Sequence, residues 1–136
     1  MDAIAVREAV EAALVNEAGA PSSFLTRFFG MVPEFSDDTC TVRFVAHDFM
    51  LNLHGSIHGG LISFVFDVCM GRLIRHLAGP GKTVELKTQF LRAVPQGELV
   101  CQARMLKRGK SISFVEASLS DSSGKLLAAA TSTWAH

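Results

Sequence analysis

The segment from Gly59 to about Leu77 constrains the fold more than any other part of the sequence. Between Leu61 and Met70 it is almost wholly apolar, and the only polar side chains there are Ser63 and Asp67. A helix that is apolar on all sides needs other structure around it, because exposed apolar surface is costly in water. The segment therefore predicts a long helix at the centre of the fold.

The remainder of the chain shows the alternation of β-strands, with two strand-like runs before the central helix and four after it. Their predicted bounds are Phe28–Phe35, Thr39–Ala46, Thr83–Leu91, Glu98–Lys107, Ser111–Asp121 and Leu126–Trp134. Two of the connections, Ser36-Asp37-Asp38 and Asp121-Ser122-Ser123-Gly124, have the length of hairpin turns. Hairpin connections imply antiparallel pairing of the strands that they join.

An amphipathic helix is predicted ahead of the first strand, at about residues 3–18, and Gly19 and Pro21 mark its end. Its apolar positions are Ile4, Val10 and Leu14.

Together these elements predict one domain over residues 1–136, with its core at about residues 24–135. The expected fold is of the α+β class: a curved antiparallel sheet wraps around the long central helix, and the N-terminal helix lies outside this core. Such a sheet leaves a long unpaired edge, which pairing between two subunits would cover.

Composition narrows the range of partners. Lys and Arg together number 13, as do Asp and Glu, so the formal net charge is zero and nothing favours nucleic acid. Hydrophobic residues make up 49% of a near-neutral chain, which favours self-association. No apolar run reaches the roughly 20 residues of a membrane span, and the acidic N-terminal segment is unlike a signal peptide. We expect a soluble cytoplasmic protein with reduced, buried cysteines.

Asp67 is the residue that most needs an explanation, because a carboxylate on an apolar helix is costly unless something stabilises its charge. It would serve a purely structural role if it paired with an arginine or capped a backbone turn. Helical spacing places it on one face with Gly60, Ser63 and Gly71. Because three of these four side chains are small, they describe a groove along the helix that is open to a ligand or to a partner backbone.

The start of the same helix, His58-Gly59-Gly60, suits a carbonyl oxygen. The first turn of a helix has unpaired N–H groups, and glycines let another atom approach them closely. The helix dipole adds positive potential at this end. A thioester carbonyl bound there would be polarised, and the oxyanion of its tetrahedral intermediate would be stabilised.

Asn52, His58-Gly59-Gly60 and Asp67 together resemble the signature of the PaaI-like phenylacetyl-CoA thioesterase group of the 4-hydroxybenzoyl-CoA thioesterase superfamily. The resemblance runs from about Phe24 to Thr133, with one departure: Arg92 is followed by Ala93-Val94-Pro95 where the family often has Arg-Pro-Ala. The resemblance implies a hotdog fold, and dimers that are often doubled to tetramers, with active sites at the dimer interface. It implies no cofactor, since coenzyme A is part of the substrate.

The resemblance also implies a role for each matching residue. The Gly59 N–H would polarise the thioester carbonyl, with His58 supporting the site, and Asn52 would position the attacking water or the carbonyl. Asp67, contributed across the interface, would act as general base or as nucleophile. Thr83 matches a Ser/Thr position that helps to orient the water.

Substrate contacts are expected on both sides of the thioester. Gly60 and Ser63 line the groove, and Phe64 is a candidate for an apolar acyl pocket. The basic turn at Arg108, Lys110 and Ser111 could meet the phosphates of coenzyme A, and Arg72, Arg75 and Arg92 are further options. His54 and His58 have helical ligand spacing but no third ligand, so no metal site is predicted.

Three functions therefore compete. The first is hydrolysis of a small aryl- or medium-chain acyl-CoA. The second is a hotdog hydratase or dehydratase acting on acyl thioesters, which would usually need a histidine base on a loop. The third is a non-catalytic acyl-CoA-binding domain, in which Asp67 would be merely structural.

Overall fold

The computed structural model describes residues 1–15 and 22–136 and confirms the predicted plan: an N-terminal helix and a long central helix packed on a six-stranded antiparallel sheet. The helices are α1 (Ala3–Leu14), α2 (Phe24–Phe28) and α3 (Gly59–Ala78). The strands are β1 (Val32–Ser36), β2 (Thr39–Ala46), β3 (Lys82–Phe90), β4 (Gly97–Arg108), β5 (Ile112–Asp121) and β6 (Leu126–Ala135). Strands β2 to β6 each begin and end within one residue of their predicted bounds.

The strands lie side by side in the order β1-β2-β4-β5-β6-β3, and every neighbouring pair is antiparallel. Helix α3 lies across one face of this sheet and buries the side chains of Ile62, Val65, Phe66, Cys69, Met70, Leu73 and Ile74. Helix and sheet approach closely at Gly71, where an added Cβ would lie 2.8 Å from Cη2 of Trp134. A larger residue there would push the helix off the sheet.

The three cysteines meet inside this core between α3 and strands β2 and β4. The Cys69 thiol donates to the carbonyl oxygens of Cys40 (3.4 Å) and Cys101 (3.6 Å), and all three side chains are fully buried and free of disulfides. Hydrogen bonding with Cys69, together with burial, raises the pKa of Cys40 well above its ordinary value. Hydrogen bonding with Cys101 is the main cause that raises the pKa of Cys69. Because all three side chains are fully buried, these cysteines serve as packing residues of the core.

The strand predicted at Phe28–Phe35 is wrong in its first part. Phe28 ends the short helix α2, and β1 begins only at Val32. The Ser23 side chain accepts a hydrogen bond from the N–H of Thr26 and thereby starts a helical turn that competes with the strand. The aromatic residues then pack on one another, with the rings of Phe28 and Phe29 5.0 Å apart.

Helix α1 forms as predicted up to Leu14, but the predicted continuation is wrong at Val15, which is extended (φ −85°, ψ 113°) and ends the helix. Residues 16–18 of the predicted helix lie outside the described residues. Its apolar positions are not buried in the single chain: Ile4 is 69% exposed and Leu14 is 70% exposed. The alanine side of α1 faces the protein instead, and Ala13 is completely buried. The other end of the helix is fixed by Asp48, whose carboxylate accepts from the Asp2 N–H.

Strand β3 is an edge of the sheet and most of its residues are exposed, including Val84 and Phe90. It pairs with β6 on one side only. The predicted unpaired edge is thus present in the single chain. None of the helices in the described part of the chain has the length and hydropathy of a membrane span.

Candidate active site

The N-terminus of α3 is open on its outer side. His58 is the N-cap residue, and its side chain makes no capping hydrogen bond, so the N–H groups of the first turn are left to other acceptors. At Gly60 an added Cβ would meet no atom within 4 Å. At Gly59 it would touch the Phe90 ring at 3.4 Å. A carbonyl oxygen can therefore approach this helix tip closely, beside the Phe90 ring.

The loop before α3 is held in place by Asn52. Its Oδ1 atom accepts hydrogen bonds from the N–H groups of His54 (2.8 Å) and Ser56 (3.2 Å), and its Nδ2 donates to the Ser56 hydroxyl at 3.1 Å. The His58 N–H donates to the carbonyl oxygen of Met50 at 3.0 Å, which anchors the end of the loop. Asn52 thus fixes the loop that leads to the helix tip through its oxygen, and its second Nδ2 hydrogen is the group left for a ligand.

Asp67 lies about two helical turns further along α3, where strand β3 comes alongside. The Thr83 hydroxyl donates to Oδ1 of Asp67 at 2.6 Å. The pairing of β3 with β6 is irregular between Thr83 and Glu85. Asp67 is half-buried and forms no ion pair with any described residue. The carboxylate is thus held by a hydroxyl rather than neutralised by an arginine, and its second oxygen can face a ligand.

Two separate open cavities hold the two parts of the predicted site. The first has a volume of about 650 Å³ and contains Asp67 and Thr83. The second has a volume of about 550 Å³, and its lining includes Asn52, His58, Gly59, Gly60, Ser63 and Phe90. Within one chain the structure therefore brings Asp67 together with Thr83, and Asn52 together with the helix tip, but it does not place both groups in one cavity.

The other predicted contact residues are placed differently. Ser63 lines the second cavity, and its hydroxyl donates to Thr88 Oγ1 at 3.2 Å. Phe64 lies outside both cavities, where its ring packs against Phe29 with centroids 5.7 Å apart. The basic turn of Arg108, Lys110 and Ser111 is exposed at the tip of the β4–β5 hairpin, away from both cavities.

Sequence reasoning did not assign Phe90 to the site. Its ring packs over Gly59, and it lines the cavity at the helix tip as well as an adjoining one of about 370 Å³ that contains Arg92. The alternation of β3 gave no sign of this, because Phe90 is one of several apolar residues in that strand. No cluster of three or more His, Cys, Asp or Glu side chains suited to a metal occurs in residues 1–15 and 22–136.

Comparison with known proteins gives consistent results. The family model of the thioesterase superfamily matches residues 54–128, more than half of the chain. Human acyl-coenzyme A thioesterase 13 is 32% identical over 81 residues, which is 57% of this chain and 58% of that protein. A candidate esterase of Saccharolobus solfataricus is 28% identical over 95 residues, which is 68% of this chain and 63% of that protein. The matches thus span less than two thirds of these curated relatives.

Among solved structures, a phenylacetic acid degradation-related protein of Ralstonia eutropha JMP134 superposes with a TM-score of 0.80. It is 29% identical, and the match covers 86% of this chain and 92% of that chain. The two proteins therefore share one fold over most of their lengths.

Proposed function

Because the chain belongs to the thioesterase superfamily, we propose that it hydrolyses acyl-CoA thioesters with a small aryl or medium-chain acyl group. The observation that carries this proposal is the Asp67 carboxylate on the apolar helix α3, bonded to the Thr83 hydroxyl and open to a cavity. The similarity to human acyl-coenzyme A thioesterase 13 and the glycine-lined tip of α3 support the same reaction.

The proposed site is completed by two copies of the chain. Thr83 and Phe90 lie at opposite ends of the edge strand β3, Thr83 beside Asp67 and Phe90 beside Gly59. If β3 pairs with its own copy about a twofold axis, each Thr83 comes near the far end of the neighbouring β3. Asp67 would then face Gly59 of the partner subunit, so the two half-sites would join.

The chemistry follows from this arrangement. The thioester oxygen accepts a hydrogen bond from the Gly59 N–H, and the helix dipole favours the negative charge that develops on it. In the general-base route, Asp67 takes a proton from a water molecule, and the water oxygen bonds to the carbonyl carbon. The carbonyl oxygen thereby becomes an oxyanion. The carbon–sulfur bond then breaks as the oxyanion re-forms the carbonyl, and the proton held by Asp67 passes to the coenzyme A sulfur. The carboxylic acid that results loses its proton to solvent, so the products are a carboxylate and free thiol.

A nucleophilic route uses the same atoms. Asp67 would attack the carbonyl carbon itself and release coenzyme A as a thiolate, which takes a proton from solvent, and water would hydrolyse the resulting mixed anhydride to two carboxylates. Label found in the Asp67 side chain after single-turnover hydrolysis in ¹⁸O-labelled water would establish the nucleophilic route, because the general-base route delivers the water oxygen only to the product.

The remaining predicted residues have supporting roles in this proposal. Asn52 keeps the helix tip in position and offers one N–H to the substrate or the water. The exposed His58 side chain stands beside the carbonyl site. The basic turn at Arg108 and Lys110 is proposed to contact the phosphates of coenzyme A as point charges.

The direct test is thiol release from a panel of acyl-CoAs by the wild-type protein and by Asp67→Asn. The wild type is expected to release thiol, and the substitution to slow the reaction by about 10²–10⁴. Asp38→Asn, an exposed change of the same type in the β1–β2 turn, is the matched control. Water addition without thiol release would instead indicate a hydratase, tight binding without turnover a binding domain, and normal turnover by Asp67→Asn would refute the assignment.

A further inference from the structure

The cavity beside Asp67 contains two arginines that the proposed hydrolysis does not use. Arg72 is half-buried and Arg75 is exposed, and both line the same space of about 650 Å³ as Asp67 and Thr83. Apart from Asp67, the other lining residues are uncharged: Ser22, Ser23, Thr26, Val68, Gly71, Gly81, Thr83 and Trp134. Two cations therefore share a cavity with one carboxylate.

Neither arginine is neutralised by an acid that the structure describes. The two ion pairs in residues 1–15 and 22–136 lie elsewhere, between the N-terminal amine and Asp48 and between Arg104 and Glu116. Asp67 itself accepts a hydrogen bond from Thr83 and forms no ion pair with Arg72 or Arg75. Counting only the lining residues that the structure describes, two positive charges stand against one negative charge, a formal charge of +1, which favours an anionic ligand group.

The position of the arginines along α3 indicates which part of a substrate they would meet. A helix rises about 1.5 Å per residue, so Arg72 and Arg75 lie about 7.5 Å and about 12 Å from Asp67 along the axis. A short acyl group that extended from the thioester carbon along α3 towards its C-terminus would be long enough to reach this region. The pantetheine arm that separates the diphosphate of coenzyme A from the sulfur is longer than these distances.

We propose that Arg72 and Arg75 bind a carboxylate at the far end of the acyl group, so that the preferred substrates are mono-CoA thioesters of short dicarboxylic acids. This inference rests on the proposed function and specifies its acyl group. The planar guanidinium of arginine binds a carboxylate through paired hydrogen bonds, which gives both affinity and a defined position. The bound carboxylate would hold the acyl chain so that its carbonyl stays beside Asp67.

The same arrangement would discriminate against neutral acyl groups. A methyl terminus in this cavity would take water from the two guanidinium groups without returning a hydrogen bond. The substrate carboxylate would also lie one to two helical turns away from the Asp67 charge, and the arginines between them would screen the repulsion.

The test compares adipoyl-CoA with hexanoyl-CoA, which have acyl chains of the same carbon number and differ in the terminal carboxylate. The wild type is expected to show a kcat/KM for adipoyl-CoA that is higher by about tenfold to a hundredfold, the range for hydrogen bonds to charged groups. Arg72→Gln and Arg75→Gln should bring this ratio towards one while hexanoyl-CoA hydrolysis is retained. Arg7→Gln, an exposed change on α1, should leave the ratio unchanged.

Three results would overturn the inference while leaving thioester hydrolysis in place. They are a wild type that hydrolyses hexanoyl-CoA as well as adipoyl-CoA, a wild type that accepts other acyl-CoAs but not adipoyl-CoA, and arginine variants that slow both substrates equally. The last result would mean that the arginines hold the coenzyme A phosphates. Absence of thiol release from every acyl-CoA would refute the proposed function itself.

Discussion

Replacing Gly59 by proline removes one N–H group from the tip of α3 with little other change. Gly59 is the first residue of the helix, the position at which proline is tolerated because its N–H has no partner within the helix. His58 has φ −57° and ψ 129°, an extended conformation that a following proline accepts. The helix should therefore form normally and lack only the donor assigned to the thioester oxygen.

The expected loss is that of a single oxyanion donor. The neighbouring first-turn N–H of Gly60 and the helix dipole remain, so the effect should be about 10²–10³ in kcat, equivalent to about 2.7–4 kcal/mol of transition-state stabilisation. Gly59→Ala is the matched control, because it adds the same Cβ at 3.4 Å from the Phe90 ring and retains the N–H. The measurement is thiol release at saturating acyl-CoA for the wild type and both variants, with thermal unfolding to confirm folding.

Two results would refute this reasoning. If Gly59→Pro is folded and retains wild-type kcat, the Gly59 N–H does not stabilise the transition state. If Gly59→Ala loses as much activity as Gly59→Pro, the loss comes from crowding against Phe90 rather than from the missing donor.

Further predictions follow from single contacts. Thr83→Val removes the 2.6 Å hydrogen bond to Asp67 and should lower kcat about tenfold, whereas Thr83→Ser should retain activity. If the two variants have the same kcat, Thr83 does not belong to the site. Gly71→Ala places a Cβ 2.8 Å from Trp134 and should lower the free energy of unfolding in urea by about 1–3 kcal/mol, while Gly60→Ala, with no atom nearby, should not. Cys40, Cys69 and Cys101 should not react with an aromatic disulfide reagent in the native protein and should react fully after denaturation, because all three are buried. Hydrogen bonding and burial also raise the pKa of Cys40 and Cys69. Rapid reaction of the native protein would contradict this prediction.

Much of the fold could be predicted from local signals in the sequence. The apolar run after Gly59 predicted the central helix, and the alternating strands and their turns predicted the antiparallel pairing of β4, β5 and β6. The position of β3 beside β6 could not be predicted from those signals, since no hairpin joins these strands. The helix at Phe24–Phe28 was missed because its aromatic residues also suit a strand, although the Ser23 cap was a readable sign.

Some residues of the candidate site could be predicted from the sequence and others could not, because the latter depend on packing between distant elements. The groove residues of α3 follow from helical spacing alone, but the contact of Thr83 with Asp67 depends on how β3 packs beside the helix, so only the family resemblance indicated it. Arg72 lies five residues beyond Asp67, off its helical spacing of three and four, and yet lines the same cavity. Phe64, chosen for its apolar character, belongs to the aromatic packing with Phe29.

The central claim is that Asp67 of one subunit acts with the helix tip of another. Asp67→Asn and Gly59→Pro chains with different affinity tags can be co-expressed, and the mixed oligomers purified through both tags. In a mixed dimer one of the two composite sites is entirely wild type. We therefore expect about half of the wild-type rate of thiol release per dimer, although each variant alone is nearly inactive. Mixed oligomers as inactive as either variant alone would contradict it, because a site within one chain cannot be restored by mixing.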